Sequence, residues 1–269
     1  MPIRLYTLII AIKDIDFSFD TGLDQNMLFD HFSLSLNSND NPLIILGRSG
    51  CGKTTLLRII AGLIKPKRGI ICKNLKAALD ETKQTSMVSF VFQEDRLLPH
   101  LSVLENVLLP LQNIFSQSDA KERARHFLSL VCLGNYVDSY PNELSGGQAQ
   151  RVSIARAWAY PAPLILMDEP FKSLDIPLRI SLMDAVHALM QNEERFLIAV
   201  SHDPREALYL GKRIIVLGRD DHAKSTKIML DKNIQTSDKK LQSTSAEKKH
   251  EFISEHSVQI EKTLIDAMK

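Results

Sequence analysis

A chain of 269 residues in which 33 Lys and Arg face 32 Asp and Glu, for a formal charge of +1, lacks the basic excess that marks a nucleic-acid binder, so no nucleic-acid partner is expected. A hydrophobic content of 44% suits one large or two small cores, and no apolar run reaches the ~20 residues of a membrane-spanning helix. Cys51, Cys72 and Cys132 share no metal-ligand spacing and read as free thiols of a reducing compartment, while the apolar stretch Leu5 to Ile12 is followed by no small-residue cleavage site. The expectation is a cytosolic chain that meets a membrane only through a partner.

Residues 3–19 alternate well enough for one or two strands, ending Ile15-Asp16-Phe17-Ser18-Phe19, and 20–26 is turn-like. Phe19 is a core aromatic or a platform for a nucleotide base; spacing alone leaves both open. His31 to Leu36 alternates apolar and polar, a strand with one wet face. Leu43-Ile44-Ile45-Leu46 then reads as a buried strand running into Gly47-Arg48-Ser49-Gly50-Cys51-Gly52-Lys53-Thr54-Thr55, which fits the phosphate-loop pattern, and a helical run from Thr54 stops at Gly62. Gly47, Gly50 and Gly52 let successive backbone N–H groups turn inward as an anion cradle at a helix N-terminus. Lys53 brings a compact cation to the outer phosphates, and Thr54 offers a hydroxyl to the Mg²⁺ that bridges them. Cys51, at a helix N-terminus beside Lys53, is expected to be a reactive thiolate.

A turn at Lys65 to Gly69 leads to a short strand, Ile70-Ile71-Cys72, and a polar segment, 73–84. Ser86 to Phe92 is rich in β-formers and ends at Gln93, where ligand groups collect in an open parallel sheet. Between Pro99 and Pro141 the pattern is helical: Ser102 caps one helix, and Asp119 to Val131 forms another, bounded by Gly134. Leu144-Ser145-Gly146-Gly147-Gln148 follows, with a helix expected over Ala149 to Ala159. Ser145 is its cap, and the two glycines open its N-terminal amides to a phosphate, giving a second anion site. Leu164 to Met167 is a core strand delivering Asp168 to Mg²⁺, and Glu169 stands where it can polarise an attacking water. Ser173-Leu174-Asp175 is a loop, Pro177 to Met190 a helix, and Arg195 to Val200 a buried strand ending at Ser201-His202-Asp203, with His202 in reach of a γ-phosphate.

In this order, Gly47–Thr55, Gln93, Leu144–Gln148, Leu164–Glu169, Ser173–Asp175 and His202 resemble the Walker A, Q-loop, signature, Walker B with catalytic glutamate, D-loop and H-loop of ABC transporter ATP-binding subunits. The likeness covers roughly residues 3–218. It implies an α/β fold: a P-loop NTPase core with an antiparallel β subdomain and an inserted α-helical subdomain at about 95–157. It also implies ATP with Mg²⁺, metal contacts from Thr54, Gln93 and Asp168, base stacking by Phe19, and catalysis by Lys53, Gln93, Glu169 and His202. Partners implied are a second ATPase subunit, as a homodimer, with each ATP held between one subunit's phosphate loop and the other's signature; an integral membrane permease; and, indirectly, an extracytoplasmic solute-binding protein. The place implied is the cytoplasmic face of the cell membrane. Val91 to His100 and Asp168 to Phe171 are similar to the nitrate/sulfonate/taurine importer group. Lys172 departs from the pattern, in which a small residue is usual. Residues 219–269 form a polar extension, where Lys227 to Leu230 suits a last strand and Ala246 to Met268 an amphipathic helix carrying Phe252, Ile253, Ile260, Leu264 and Ile265.

Overall fold

Alternation, and its absence, sort the strands. The computed structural model describes residues 5–19, 27–77, 86–172, 174–192, 195–219 and 225–234, with 258 and 262. The turn at 20–26, Ser173 and nearly all of the amphipathic segment 246–268 lie outside the described residues. β1 (Leu5–Phe17) is one continuous strand, antiparallel to β2 (Phe29–Asn37), with Ile10 opposite Leu36 and Ile12 opposite Leu34. Along β2, Phe32, Leu34 and Leu36 are buried and the residues between them exposed, as in a sheet packed on one face. The register slips on either side of Ile15, near Asp14 and His31, whose φ values are 53° and 50°; bulges of this kind twist an edge pair.

β3 (Leu43–Gly47) is buried along its whole length and feeds α1 (Lys53–Ala61). Gly62 ends α1 in the left-handed region, its amide reaching back to the carbonyls of Arg58 and Ile59, so the glycine stop read from sequence is where the helix ends. β4 (Arg68–Ala77) completes a three-stranded sheet in the order β2-β1-β4. It outruns the expected Ile70–Cys72 because its neighbour, β1, offers a long ladder, and pairing overrides weak β propensity.

The middle of the chain forms β5 (Val88–Val91), α2 (Val103–Leu108), α3 (Gln117–Leu130), α4 (Gly146–Ala159), β6 (Leu164–Asp168) and α5 (Ile176–Asn192). β5 and β6 are parallel, Val88 opposite Leu164 and Val91 opposite Met167. The helices α2, α3 and α4 pack on one another, with Val107, Phe127, Leu128, Val152 and Trp158 fully buried. α4 starts three residues before the expected Ala149. Ser145 and Gln148 close a capping box there, which draws both glycines into the first turn despite their poor helix propensity.

The chain closes with β7 (Phe196–Ser201), α6 (Pro204–Leu210), β8 (Arg213–Arg219) and β9 (Thr226–Asn233). β3 lies between β7 and β8, parallel to both, and β9 adds antiparallel to β8. These continuous apolar runs suit a parallel sheet covered on both faces. Arg213 donates to Asp231 at 2.8 and 2.6 Å, to the Ser35 carbonyl at 2.9 Å and to Asp40 at 3.0 Å, so β9 is tied to β2 as well as to β8. The chain forms two compact units, one holding Lys76–Phe196, the other holding Thr7–Leu75 and the chain from Leu197 onward. Among the described residues no helix is long and apolar enough to cross a membrane.

Candidate active site

In the unit that contains β3, the turn between β3 and α1 is built by its own side chains. Lys53, only 5% exposed, donates from Nζ to the carbonyls of Gly47 at 2.7 Å and Arg48 at 3.0 Å, cinching the loop around its ammonium. Gly52 caps α1 with φ at 93°, a conformation L side chains rarely adopt, and a Cβ there would meet the Phe29 ring at 3.0 Å. Arg48, Ser49 and Gly50 are exposed at the rim; Thr54 is half-buried and Thr55 buried in the first turn of α1. That helix begins at Lys53, so its first-turn amides have no partner within the helix.

Cys51 overturns one expectation. Its side chain is 4% exposed, and a Cβ on Gly47 would lie 2.6 Å from its sulfur. Burial pushes the Cys51 thiol up, and this outweighs the pull of Lys53 in the other direction. The residue is a packed neutral thiol, not a reactive thiolate. All three cysteines are unpaired, and Cys72 and Cys132 are the exposed ones.

Thr226, 1% exposed at the start of β9, donates its hydroxyl to the Cys51 carbonyl at 2.9 Å, so the last strand holds the phosphate loop from behind. Nothing local in the sequence signals Thr226, because its partner is 175 residues away. His202 is exposed in the turn after β7. That turn is fixed on both sides: Ser201 donates to the buried Glu206 carboxylate at 2.5 Å, and the Asp203 side chain accepts the Arg205 amide at 2.8 Å. Phe19 follows β1, is 54% exposed, and packs edge-on against Phe17 at 5.1 Å. It is therefore not a core aromatic.

The other unit carries the carboxylates and the glutamine. Asp168, 3% exposed, is the last residue of the fully buried β6. Glu169 follows with φ at 47°, a strained value for a non-glycine residue and a frequent mark of functional sites. Lys172 turns back on it: its amide donates to the Glu169 carbonyl at 3.2 Å, and its ammonium lies 2.7 Å from Glu169 Oε2. Gln93 is exposed just past β5, and Arg96 stacks its guanidinium 3.9 Å over the Phe92 ring behind it. The segment after Gln93 is pinned twice. Arg156 of α4 donates to the carbonyls of Asp95 and Arg96 at 2.8 and 3.0 Å. Buried Asn106 of α2 donates to the carbonyls of Leu98, Leu101 and Ser102 and accepts the Leu98 amide at 2.8 Å. Neither polar anchor was anticipated from sequence. Of the leucines and valines in this stretch, Val103 and Leu104 are buried and Leu98 is exposed.

At the head of α4, Ser145 accepts the Gln148 amide at 3.3 Å, and Gln148 Oε1 accepts the Ser145 amide at 2.9 Å. Gly146 is exposed with open space around it. Gly147 is buried, and a Cβ there would meet the Leu178 side chain of α5, which would have to move aside.

A parallel sheet whose central strand turns through a lysine-cinched glycine loop into a helix is the core of the P-loop NTPase class. The family is narrower still. The ABC transporter family profile matches residues 29–172, more than half of the chain, and the chain belongs to that family. It is 40% identical over 179 residues to the choline transport ATP-binding protein OpuBA of Bacillus subtilis (strain 168), covering 65% of this chain and 47% of that one. Against the nitrate transport protein NasD of Klebsiella oxytoca the identity is 33% over 214 residues, 78% of this chain and 80% of the other. The fold superposes with a TM-score of 0.70, at 30% identity, on the dimeric post-hydrolysis state of the ATP-binding cassette MJ0796 bound to ADP and Pi, covering 84% of this chain and 99% of that one. The chain spans only about half the length of several curated relatives, from 47% to 56%.

Proposed function

We propose that the chain binds and hydrolyses ATP as the ATP-binding subunit of a membrane importer, closing head to tail on a second copy and driving a separate permease. The observation that supports this reading is a pair of glycine-bearing helix starts in two different units, each with first-turn amides suited to an anion. One is the lysine-cinched loop at Gly47–Thr55, the other the capped head of α4 at Ser145–Gln148. Two such sites on one chain are accounted for when each serves a different nucleotide, so that a pair of chains is needed to complete either one. Relatives named for import of sulfate, iron, spermidine and betaine, together with the dimeric cassette, support the same reading.

In this reading Gly47 to Thr55 hold the phosphates, Lys53 neutralises them, and Phe19 stacks on the adenine. The donors offered by Thr54, Gln93 and Asp168 are a hydroxyl, an amide and a carboxylate, the hard oxygen set that Mg²⁺ takes. These residues would hold the ion, which supplies charge neutralisation on the phosphates when bound. Glu169 accepts a proton from the attacking water, and His202 steadies the γ-phosphate. The helical part at about 95–157 is the subdomain that moves the signature, and the permease meets the segment following Gln93, where Leu98 is exposed and Leu109 is 45% exposed. The stretches Val91–His100 and Asp168–Phe171 are similar to the nitrate/sulfonate/taurine importer group, in keeping with the relative named for nitrate transport, while the cargo itself is read by the permease and the binding protein. The subunit acts at the cytoplasmic membrane face, with a solute-binding protein on the other side.

Glu169→Gln tests the mechanism. The variant is expected to bind ATP and to lose at least a hundredfold in turnover, since a positioned base contributes about 10²–10⁴-fold. In ATP it is expected to elute as a dimer on gel filtration. A monomer in saturating ATP counts against the paired sites, and undiminished turnover counts against Glu169 as base. A normal ATPase with no membrane protein co-purifying would favour the alternative, an ABC ATPase outside transport.

A further inference from the structure

Only His202 and Asp203 lie between β7 and α6, and the turn they make is held from within. The Asp203 amide donates to Ser201 Oγ at 2.9 Å, and the Ser201 hydroxyl donates in turn to Glu206 Oε2 at 2.5 Å. On the far side Asp203 caps α6, its side chain accepting the Arg205 amide at 2.8 Å. Ser201 and Glu206 are 3% and 4% exposed, whereas His202, between these bonds, is exposed.

The turn also sits at a particular end of the sheet. β7 runs parallel beside β3, with Ser201 opposite Leu46, the residue before Gly47. His202 therefore leaves the sheet at the end where the phosphate loop begins, inside one compact unit. Glu206 is a costly way to fill the space beneath it. A carboxylate shut away from water must have its hydration replaced by hydrogen bonds, a cost that an apolar side chain would not carry. What the carboxylate supplies is direction. With the hydroxyl proton committed to Glu206, the Ser201 oxygen is left to accept the Asp203 amide, and the two bonds run in one sense from backbone to carboxylate. We propose that Ser201 and Glu206 are positioning residues for His202: they lock the turn between β7 and α6 so that the imidazole meets the γ-phosphate in one orientation. Both are buried, and they act through the turn and not on the nucleotide. The inference rests on the proposed role of His202 and deepens it.

The test is a double-mutant cycle on the full chain, with Ser201→Ala, His202→Ala and the two combined, read by single-turnover phosphate release and by nucleotide titration. His202→Ala removes the contact and is expected to slow turnover about a hundredfold or more. Ser201→Ala only loosens the turn and is expected to cost about tenfold, part of the ~10²-fold that a 1 Å misplacement can cost. Its ATP dissociation constant should stay within about twofold, because a contact felt mainly in the transition state moves kcat and not binding. In the His202→Ala background Ser201→Ala is expected to cost nothing further, whereas a merely structural role would multiply the two losses. Unchanged turnover in Ser201→Ala, or losses that multiply, overturns the positioning role. If Ser201→Ala does not fold, Glu206→Gln carries the same cycle: it keeps the shape and an oxygen for the hydroxyl, and should cost about threefold, again only where His202 is present. If His202→Ala turns over at the wild-type rate, the role of His202 falls and the positioning with it; if it is slow while Ser201→Ala and Glu206→Gln are normal, only the positioning falls.

Discussion

Thr226→Val removes one hydroxyl and leaves the rest of the phosphate loop's support untouched. The backbone bond from the Thr226 amide to the Leu28 carbonyl, at 2.8 Å, does not depend on the side chain, and the residue is 1% exposed, so water has no access to replace the lost donor. What goes is the 2.9 Å bond to the Cys51 carbonyl, replaced by a methyl group pressed against that oxygen. A net hydrogen bond is worth about 0.5–1.5 kcal/mol, and leaving a buried acceptor short of its donor costs about 1–3 kcal/mol. The expected loss of stability is therefore about 1–2 kcal/mol, or roughly 2–4 °C per kcal/mol in Tm for a chain of this size class. Because the carbonyl belongs to the loop, ATP affinity is expected to fall with it, by about threefold or more. Thermal unfolding with and without ATP, beside a nucleotide titration, reads both effects; Thr226→Ser restores the hydroxyl and should restore both. A valine variant with unchanged Tm and unchanged affinity refutes the idea that β9 supports the loop.

Lys53→Ala removes a cation and its two bonds to the loop carbonyls. Charged hydrogen bonds are worth about 1.5–3 kcal/mol, so nucleotide binding should weaken about tenfold or more and hydrolysis should be abolished, by titration and by phosphate release. In a Cys72→Ser, Cys132→Ser background, maleimide should label Cys51 slowly at neutral pH and faster well above pH 9. The folded thiol's pKa is raised, so its contribution to stability is present below the unfolded thiol's value of about 8.5 and is lost as pH rises through the folded one. Fast labelling at pH 7 would contradict the buried thiol. Leu98→Glu changes a side chain that is 36% exposed and leaves its backbone bonds to Asn106 in place. ATPase should stay within about twofold while cargo uptake by the assembled transporter falls, and normal uptake would move the permease surface elsewhere.

What was legible in the sequence was local. The phosphate loop, the stop at Gly62, the Ser102 and Ser145 caps and the acid-ended strand β6 each declare themselves within a few residues, because turn geometry and capping are fixed by neighbours. What was missed is non-local or depends on burial. Thr226 reaches the loop across the sheet, Arg156 reaches Asp95 across 61 positions, and the true length of β4 is set by the strand beside it. The error at Cys51 has the same root. From sequence, a helix N-terminus and a lysine argue for a thiolate; only the packing of the sulfur against Gly47 shows that desolvation wins.

The same non-local contacts say how a change at the signature is carried onward. α4 begins at the Ser145 cap and, about three turns along, offers Arg156 to the carbonyls of Asp95 and Arg96. Asn106 then binds the next carbonyls, those of Leu98, Leu101 and Ser102, to α2. Peptide carbonyls held by a half-buried guanidinium and a buried amide are costly to release, since each would be left short of a donor away from water. Residues 95–106 are therefore tied to α4 and α2 through their carbonyls. In the proposed cycle, a nucleotide drawn to the head of α4 would shift exposed Leu98 beyond Gln93, the motion passing from α4 through the Arg156 and Asn106 side chains to the carbonyls they hold.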